Sequence, residues 1–316
     1  MRVLVTGATG YIGVNLLQRF PDKHTPVALV RESSRTELLP DHVETVRGDV
    51  TEFKSLKDAM TDVDGVIHMA AVNPGSRNSP EITSSVSESV FKSVNVDGTQ
   101  NVFDAAAETD VNSVVYLGTT KTHPAVEAED VSMYVQTKGE GGDLLKSGDY
   151  PFDYAIVHPT YVMGQRDYRL KRYEAFRLAA ANALLTPPMY TPGRINIVHV
   201  DTVADSILYY LEKPTNNHHM VSGPNVNRKQ FAKLLASLSS QRTVAFEIPF
   251  QKTLLPLAVK AIDTIGIANV DTSRLVLNSE TGIVPQVHEE RAPVTQKSWQ
   301  TAVRDTWNWY EDVKLL

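Results

Sequence analysis

Near its amino terminus the chain reads Val3-Leu4-Val5-Thr6-Gly7-Ala8-Thr9-Gly10-Tyr11-Ile12-Gly13, in which a short apolar run passes directly into three evenly spaced glycines. The β-branched residues predict a strand, and the apolar spacing that follows predicts a helix over residues 11–20. Glycines at such a joint let the backbone turn sharply and approach a pyrophosphate, to which the helix N-terminus offers free N–H groups and a partial positive charge. A strand, a glycine turn and a helix in this order predict a dinucleotide site.

The first half of the chain continues this alternation of strands and helices. Further strands are predicted at 26–30, 43–46, 65–69, 113–117 and 154–157, and further helices at 56–60, 86–108 and 132–146. The strands read as continuous apolar runs, as expected for strands that are buried on both faces. The pattern therefore predicts an α/β protein with a doubly wound parallel sheet.

The second half of the chain is less regular. Its predicted elements are short strands at 195–198 and 220–222 and helices at 168–185, 202–212, 227–238, 254–267 and 298–313. The helix at 254–267 is amphipathic. The stretch 73–89 is rich in Ser, Pro, Asn and Gly, and we expect it to be a loop beside a site.

The composition limits the classes of function. The 316 residues carry 31 Lys and Arg against 37 Asp and Glu, a formal net charge of −6, which argues against nucleic acid as a partner. The absence of cysteine excludes disulfides, thiolate metal sites and cysteine nucleophiles. The histidines lack a third ligand at metal-binding spacing, so no metal is expected. Without a long apolar run or a targeting segment, the sequence predicts a cytoplasmic protein with no membrane partner.

The residue that ends the second predicted strand bears on the identity of the cofactor. An arginine at this place pairs with the 2′-phosphate of NADP, whereas an acid accepts a hydrogen bond from the 2′-hydroxyl of NAD. Arg31 ends the strand and favours NADP, and the adjacent Glu32 leaves NAD as the alternative.

Three Tyr-x-x-x-Lys pairs occur, and each places a phenol and an ammonium on one face of a helix: Tyr134/Lys138, Tyr209/Lys213 and Tyr310/Lys314. Only Tyr134 and Lys138 follow a strand that ends in hydroxyl residues. The other two pairs lie near helix C-termini, where lysine complements the helix dipole. A phenol has a reference pKa of about 10. We expect the Lys138 ammonium to lower the pKa of Tyr134, so that the phenol can act as a general acid or base.

Further short motifs follow the glycine turn: Gly48-Asp49-Val50, His68-Met69-Ala70-Ala71, Asn95-Val96-Asp97-Gly98-Thr99, Tyr134-x-x-x-Lys138, His158-Pro159-Thr160-Tyr161-Val162-Met163-Gly164 and Val198-His199-Val200-Asp201. In their order and number these motifs resemble the extended short-chain dehydrogenase/reductase family, also called the NAD-dependent epimerase/dehydratase family. The resemblance implies a Rossmann lobe over 1–160 that also includes 195–225, and a smaller substrate lobe over 161–194 and 226–316.

The resemblance also implies a site. Thr119, Tyr134 and Lys138 would be catalytic, with Thr120 as the alternative to Thr119 for orienting the substrate oxygen. NADP, or alternatively NAD, would be held by Gly7, Gly10, Tyr11, Ile12, Gly13, Arg31, Asp49, Val50, Ala70, Ala71, Tyr134, Lys138 and Pro159. The substrate would contact Asn73, Thr120 and Tyr161. Asn95 would lie near the cofactor or make a polar contact beside its helix.

The implied substrate is a small carbonyl or alcohol. Sugar-nucleotide epimerases of the family usually carry asparagine where this chain has Tyr161, so the sequence looks more like the branch that reduces ketones, flavonoids or hydroxysteroids. An epimerase or dehydratase that retains its cofactor and a non-catalytic NADP-binding redox sensor remain alternatives. The resemblance further suggests a homodimer formed through the helices at 86–108 and 132–146.

Charged and imidazole side chains outside these motifs have simpler interpretations. The basic residues Arg166, Arg169, Lys171, Arg172 and Arg177 are predicted to lie on a solvated helix face, with contact to an anionic substrate as the alternative. His199 is predicted to be a buried residue with satisfied hydrogen bonds, and the adjacent histidines His218 and His219 are predicted to be exposed.

Overall fold

The computed structural model describes residues 1–73, 86–127, 132–170, 172, 176, 180, 189–190, 193–239, 246–247 and 291–316. The strands in this part of the chain are β1 Arg2–Thr6, β2 Thr25–Val30, β3 Glu44–Arg47, β4 Gly65–His68, β5 Ser113–Leu117, β6 Asp153–Pro159, β7 Tyr161–Met163, β8 Met189–Tyr190, β9 Arg194–His199, β10 Asn217–Val221, β11 Asn225–Asn227 and β12 Phe246–Glu247.

The α-helices of the same ranges are α1 Tyr11–Leu17, α2 Phe53–Ala59, α3 Glu88–Lys92, α4 Gly98–Ala107, α5 Met133–Ser147, α6 Val200–Glu212, α7 Arg228–Leu238 and α8 Trp299–Asp312. A π-helical turn over Ser93–Asp97 joins α3 to α4. Single 3₁₀ turns cover Thr36–Leu38 and Thr120–Thr122.

Seven strands form one parallel sheet in the order β10-β6-β5-β4-β1-β2-β3. Chain order reverses between β1 and β4, because the chain builds outward to β3 and then returns to add β4 on the other side of β1. Ligands of doubly wound sheets bind at such a reversal, beyond the carboxyl ends of the strands. The predicted doubly wound parallel α/β fold is confirmed.

Successive residues of each central strand enter two different apolar cores, since side chains of a strand alternate between its faces. On β1, Val3 and Val5 pack with α1 and α6, whereas Leu4 packs with α2, α4 and α5 on the opposite face. Both faces are therefore covered by helices, which explains why the strands read as continuous apolar runs.

A third core lies under a smaller sheet in which β9 pairs parallel with β7 and antiparallel with β11. Its apolar side chains come from these strands and from α7 and α8, and they include Ile197, Phe231, Val303 and Trp307. Because β7 follows β6 after one residue, this core and the large sheet meet at the carboxyl edge of β6.

The structure changes several of the predicted elements. The helix expected over 86–108 is divided into α3 and α4 by the π turn, which is a feature that periodicity does not encode. Most of the helix predicted at 168–185, the whole of that at 254–267 and most of the loop at 73–89 lie outside the described residues. Among the described helices, none is long and apolar enough to cross a membrane.

Candidate active site

The glycine turn brings the ends of β1 and β4 into backbone contact. Gly7 has a φ of +70°, and a Cβ on it would lie 2.7 Å from the Ala70 nitrogen, so a side chain is excluded by both conformation and space. The Thr6 hydroxyl accepts hydrogen bonds from the nitrogens of Met69 (3.2 Å) and Ala70 (3.1 Å). Two predicted cofactor segments therefore lie side by side at the carboxyl edge of the sheet.

The remaining residues predicted to hold the cofactor lie at the same edge or just behind it. Ile12 packs on the apolar core at the face of the sheet that α1 covers, and Val50 is buried at the opposite face of the sheet. Asp49 Oδ1 accepts hydrogen bonds from the Thr51 nitrogen and hydroxyl, both at 2.9 Å. Ala71 is half-buried after β4, and Pro159 ends β6.

Arginine side chains gather near the end of β2. Arg31 is exposed, and Arg47 Nη1 donates to the Arg31 carbonyl at 2.7 Å. Burial and the nearby positive charge of Arg31 lower the pKa of Arg169. Among the described residues, no carboxylate pairs with Arg31, whereas Arg35 in the same loop pairs with Glu37 at 3.0 Å. The end of β2 therefore presents unneutralised positive charge, as an anion site requires.

Tyr134 and Lys138 lie one turn apart on α5, which begins with the Ser132 hydroxyl accepting from the Val135 nitrogen. Tyr134 is half-buried and Lys138 is 2% exposed. The Lys138 ammonium stands 4.0 Å above the centroid of the Tyr116 ring, and the Tyr116 hydroxyl donates to the Lys138 carbonyl at 2.9 Å. Tyr116, on β5, thus contacts both ends of the lysine.

Burial shifts the pKa values of the tyrosine and the lysine in opposite directions, because it penalises the charged form of each. It lowers the pKa of Lys138 to about 7. It raises the pKa of Tyr134 to about 12, against a smaller lowering by a hydrogen bond from the Asn73 side chain. The expected lowering of the Tyr134 pKa by Lys138 is therefore wrong. Desolvation of the phenol exceeds the effect of its neighbours.

Thr119 and Thr120 follow β5 in the turn that faces the end of β6. The Thr120 hydroxyl donates to the Pro159 carbonyl at 2.8 Å. The Thr122 hydroxyl accepts from the Thr119 nitrogen (3.2 Å) and donates to the Thr119 carbonyl (2.9 Å). The turn is thus held to β6 and closed on itself, with both threonines half-buried.

Asn95, in the π turn, links three segments of the site. Its Oδ1 accepts from the Val72 nitrogen at 2.8 Å, and its Nδ2 donates to the Val72 carbonyl at 3.1 Å and to the Thr137 hydroxyl at 3.0 Å. The asparagine therefore ties the segment after β4, which leads to Asn73, to the helix that carries Tyr134. Two roles are predicted for Asn95, proximity to the cofactor or a polar contact beside its helix, and the structure shows the polar contact.

Tyr161 contacts a buried ion pair that the sequence did not predict. The Arg172 guanidinium lies 4.4 Å from the Tyr11 ring centroid and 5.3 Å from that of Tyr161. It pairs with Asp167 at 3.4 Å, and Asp167 Oδ2 accepts from the Tyr310 hydroxyl at 2.7 Å. The prediction that Arg172 lies on a solvated helix face is wrong. Asp167, which is fully buried, requires a cation beside it.

The predicted environment is confirmed for one histidine and is wrong for two others. His199 is buried and bonds Asp305 at 2.9 Å and the Asp201 nitrogen at 2.9 Å, as predicted. His218 and His219 are 9% and 8% exposed, so their predicted exposure is wrong. They belong to β10, an outer strand of the sheet that begins at Asn217, three residues before the predicted start at residue 220.

A parallel sheet with this strand order, and with a glycine turn after β1, defines a dinucleotide-binding protein of the Rossmann type. The sequence model of the NAD dependent epimerase/dehydratase family matches residues 3–223, and the chain belongs to this family. It is accordingly an enzyme of the short-chain dehydrogenase/reductase superfamily.

Individual relatives are distant. The chain is 24% identical over 276 residues to a 4-hydroxy-2-methyl-3-oxo-4-farnesyl-3,4-dihydroquinoline-1-oxide ketoreductase of Stigmatella aurantiaca, covering 79% of this chain and 77% of that one. The crystal structure of gox2253 superposes with a TM-score of 0.75 at 22% identity and 99% coverage of both chains. The Bordetella bronchiseptica enzyme WbmH in complex with NAD⁺ superposes with a TM-score of 0.68 at 16% identity and 98% coverage of both. These two structures share the fold.

Proposed function

We propose that this chain is an NADP-preferring oxidoreductase that transfers a hydride between nicotinamide and a small carbonyl or alcohol. The observation that carries the proposal is the buried Lys138 ammonium, one helical turn from the half-buried Tyr134 hydroxyl. No carboxylate among the described residues pairs with this ammonium. A buried, uncompensated lysine is costly for stability, and such groups concentrate at sites of chemistry.

The chain's own residues would manage the proton. When bound, the nicotinamide supplies or accepts the hydride. Tyr134 donates its phenolic proton to the substrate oxygen in the reductive direction and removes it in the oxidative one. With a pKa of about 12 the phenol is protonated near neutrality, which is the state that the reductive direction requires. Lys138 would hold the cofactor ribose and, when charged, would favour the phenolate.

Thr119 is our choice for orienting the substrate oxygen. The Thr120 hydroxyl already donates its proton to the Pro159 carbonyl, so it is the less suitable donor to the substrate oxygen. Asn73 and Tyr161 would face the substrate, Asn73 because it bonds Tyr134 and Tyr161 because it follows the end of β6.

The cofactor would lie along the carboxyl edge, with its pyrophosphate at the glycine turn and its adenosine toward the end of β2. A Cβ on Gly7 would lie 2.7 Å from the Ala70 nitrogen, so only glycine lets the turn and the end of β4 come together where the pyrophosphate would bind. The positive charge of Arg31 supports NADP, and the family's name and the NAD⁺ complex of WbmH keep NAD as the alternative. The division into a Rossmann lobe and a substrate lobe and the homodimer stay predictions from the resemblance, and the cytoplasmic location stays a prediction from the sequence.

The test is the oxidation of NADPH in the presence of benzaldehyde, acetophenone and cyclohexanone as carbonyl probes. Tyr134→Phe should keep the wild-type dissociation constant for NADPH and lose turnover by roughly a hundredfold or more, the usual contribution of a general acid. Tyr209→Phe is the matched control, because Tyr209 begins another Tyr-x-x-x-Lys pair on α6, and it should turn over like the wild type.

Undiminished turnover by Tyr134→Phe would contradict the mechanism. Tightly bound nicotinamide in the purified protein, with no net consumption of NADPH, would instead indicate an epimerase or dehydratase. NADPH binding that changes no carbonyl compound and alters only association with other proteins would indicate a redox sensor.

A further inference from the structure

Two histidines from neighbouring strands are buried behind the Thr120–Thr122 turn. His158 lies near the end of β6 and His218 near the start of β10, and they are 1% and 9% exposed. Their rings lie edge to edge and nearly parallel, at a centroid distance of 5.0 Å and an interplanar angle of 18°. His158 Nε2 and His218 Nδ1 are 2.7 Å apart, a hydrogen bond in which one of the two nitrogens must carry the proton.

Both rings are neutral near pH 7, because burial penalises their charged forms. Burial lowers the pKa of His158 to about 3, with a smaller opposing effect from its hydrogen bond to Thr119. It lowers the pKa of His218 to about 4. The groups that face the pair are basic and lower these values further: His123, Lys138, Lys146 and His219.

The Thr119 carbonyl decides which nitrogens carry the protons. His158 Nδ1 lies 2.9 Å from the Thr119 oxygen, which can only accept a hydrogen bond. His158 Nδ1 is therefore protonated, and in a neutral ring Nε2 is then a bare acceptor. His218 Nδ1 must donate to it. The two rings form a directional chain that runs from His218 through His158 to Thr119.

The opposite arrangement of protons is disfavoured, because it would direct the lone pair of His158 Nδ1 at the lone pairs of the Thr119 oxygen across 2.9 Å. His218 Nε2 has no hydrogen-bonding partner among the described residues in either arrangement, so it does not distinguish the two. The Thr119 oxygen therefore selects one tautomer of each ring.

The chain of rings ends on the turn that carries Thr119. His158 Nδ1 also lies 3.1 Å from the Thr122 hydroxyl, which donates to the same Thr119 carbonyl. The preceding Gly118 leaves the space that His158 occupies, since a Cβ there would lie 2.7 Å from His158 Nδ1. His123 closes this space with its ring edge, at a centroid distance of 5.1 Å from His158.

We propose that His158 and His218 are positioning residues, locked as Nδ1–H tautomers, that fix the Thr119 peptide and so aim the Thr119 hydroxyl at the substrate oxygen. This inference rests on the proposed function, in which Thr119 orients the substrate. Neither histidine touches substrate or cofactor in this role. Their contribution is to restrict the turn to one orientation, which matters because small misplacements of a catalytic group are costly in rate.

The tautomers can be tested without any activity. Long-range ¹H–¹⁵N correlation spectra of the ¹⁵N-labelled full chain distinguish Nδ1–H from Nε2–H imidazoles, and His158→Asn and His218→Asn assign the signals. Both rings should show the Nδ1–H pattern of neutral histidine, unchanged between about pH 6 and about pH 8. An Nε2–H pattern, or signals averaged between tautomers, in either ring overturns the proposal.

Kinetics of a matched pair at residue 218 test the positioning role. The amide of His218→Asn can replace the Nδ1–H donor, whereas His218→Leu fills similar space without one. His218→Leu should lose roughly tenfold or more in kcat/KM for the carbonyl probes, with an unchanged dissociation constant for NADPH, and His218→Asn should recover most of the loss.

The two proposals fail in different ways. If Tyr134→Phe keeps its turnover, the proposed function fails whatever the tautomers are. If Tyr134→Phe loses turnover but His218→Leu reacts like the wild type, only the positioning role fails. Should His218→Leu not fold, the spectra of the wild-type protein still decide.

Discussion

At the scale of single residues, Lys138 shows how burial sets chemistry. Its alkyl stem and ammonium are enclosed in the protein, and the Tyr116 ring 4.0 Å away is the aromatic partner that offsets part of the lost hydration. The offset is incomplete, and the pKa falls to about 7. Near neutral pH about half of the Lys138 side chains are therefore protonated. A modest change in the negative charge next to the ammonium then shifts this protonated fraction.

Replacing Lys138 by methionine should change how stability depends on pH. The unfolded lysine has a pKa of about 10.4, and the folded one of about 7, so between these values the unfolded chain binds a proton that the folded chain does not. The contribution of Lys138 to the free energy of unfolding therefore rises with pH across this window, by at most about 1.4 kcal/mol per pH unit. As the pH falls again to about 7, this stabilisation is lost.

Urea unfolding at several pH values between 7 and 10 measures this effect. The difference between the wild type and Lys138→Met should change with pH, while Lys146→Met, at an exposed lysine of the same helix, should follow the wild type. Parallel curves for the wild type and Lys138→Met would refute the assigned pKa.

At the scale of elements, the π turn between α3 and α4 organises the contacts behind the site. The Thr99 hydroxyl donates to the Asn95 carbonyl at 2.8 Å, and His68 Nε2 lies 3.0 Å from the same hydroxyl. His68 Nδ1 in turn lies 2.7 Å from the Thr6 hydroxyl. This buried series connects β1, β4, the π turn and, through Asn95, the helix α5. Polar networks of this kind stabilise only when every member is satisfied.

Asn95→Ala should therefore be more damaging than loss of an ordinary hydrogen bond. It leaves the Val72 nitrogen and carbonyl without their partner, and we expect a loss of roughly 2–3 kcal/mol in the free energy of unfolding. Asn101→Ala, which removes one bond from Nδ2 to the Val50 carbonyl, should cost about 1 kcal/mol. Chemical denaturation compares the two variants, and hydrogen exchange at Val72 should accelerate only in Asn95→Ala. Equal losses of unfolding free energy in the two variants would mean that Asn95 contributes no more than an ordinary hydrogen bond.

At the scale of the whole molecule, the site lies where separate cores meet. The glycine turn belongs to the large sheet, whereas Tyr161 begins β7 of the smaller sheet, whose core includes α8. The Thr306 hydroxyl on α8 accepts from the Gly164 nitrogen at 2.8 Å and so holds the end of β7 in place. A ligand along the carboxyl edge would contact both assemblies and should stabilise them together.

Ligand-linked stability tests the cofactor preference at this scale. A ligand that binds only the folded chain raises the free energy of unfolding, by about 2.7 kcal/mol at 100 times its dissociation constant. Arg31→Ala should weaken NADPH binding about tenfold or more, because it removes charge-assisted hydrogen bonds to the 2′-phosphate, and should leave NADH binding unchanged. Arg35→Ala is the control, since Arg35 already pairs with Glu37. Equal effects of Arg31→Ala on both cofactors would contradict a 2′-phosphate site.

Much of the fold could be predicted because its signals are local. The boundaries predicted for β1 and β5 agree with the structure, and α5 and α8 agree within one residue at each end, because apolar periodicity and serine caps lie within each segment. The π turn was missed, since its extra residue is held by Asn95 contacts to Val72 and Thr137, which are distant in sequence. The catalytic assignments themselves stay predictions.

By itself, the sequence determined the doubly wound sheet, the glycine turn and the pairing of Tyr134 with Lys138 on one helix face, because contiguous residues encode backbone geometry and periodicity. Only the tertiary structure decided the environments of these groups. The pKa of Lys138, the burial of Arg172 and the hydrogen bond between His158 and His218 arise from residues far apart in the chain. Electrostatics and hydrogen bonding depend on which groups exclude water from one another, and folding alone brings those groups together.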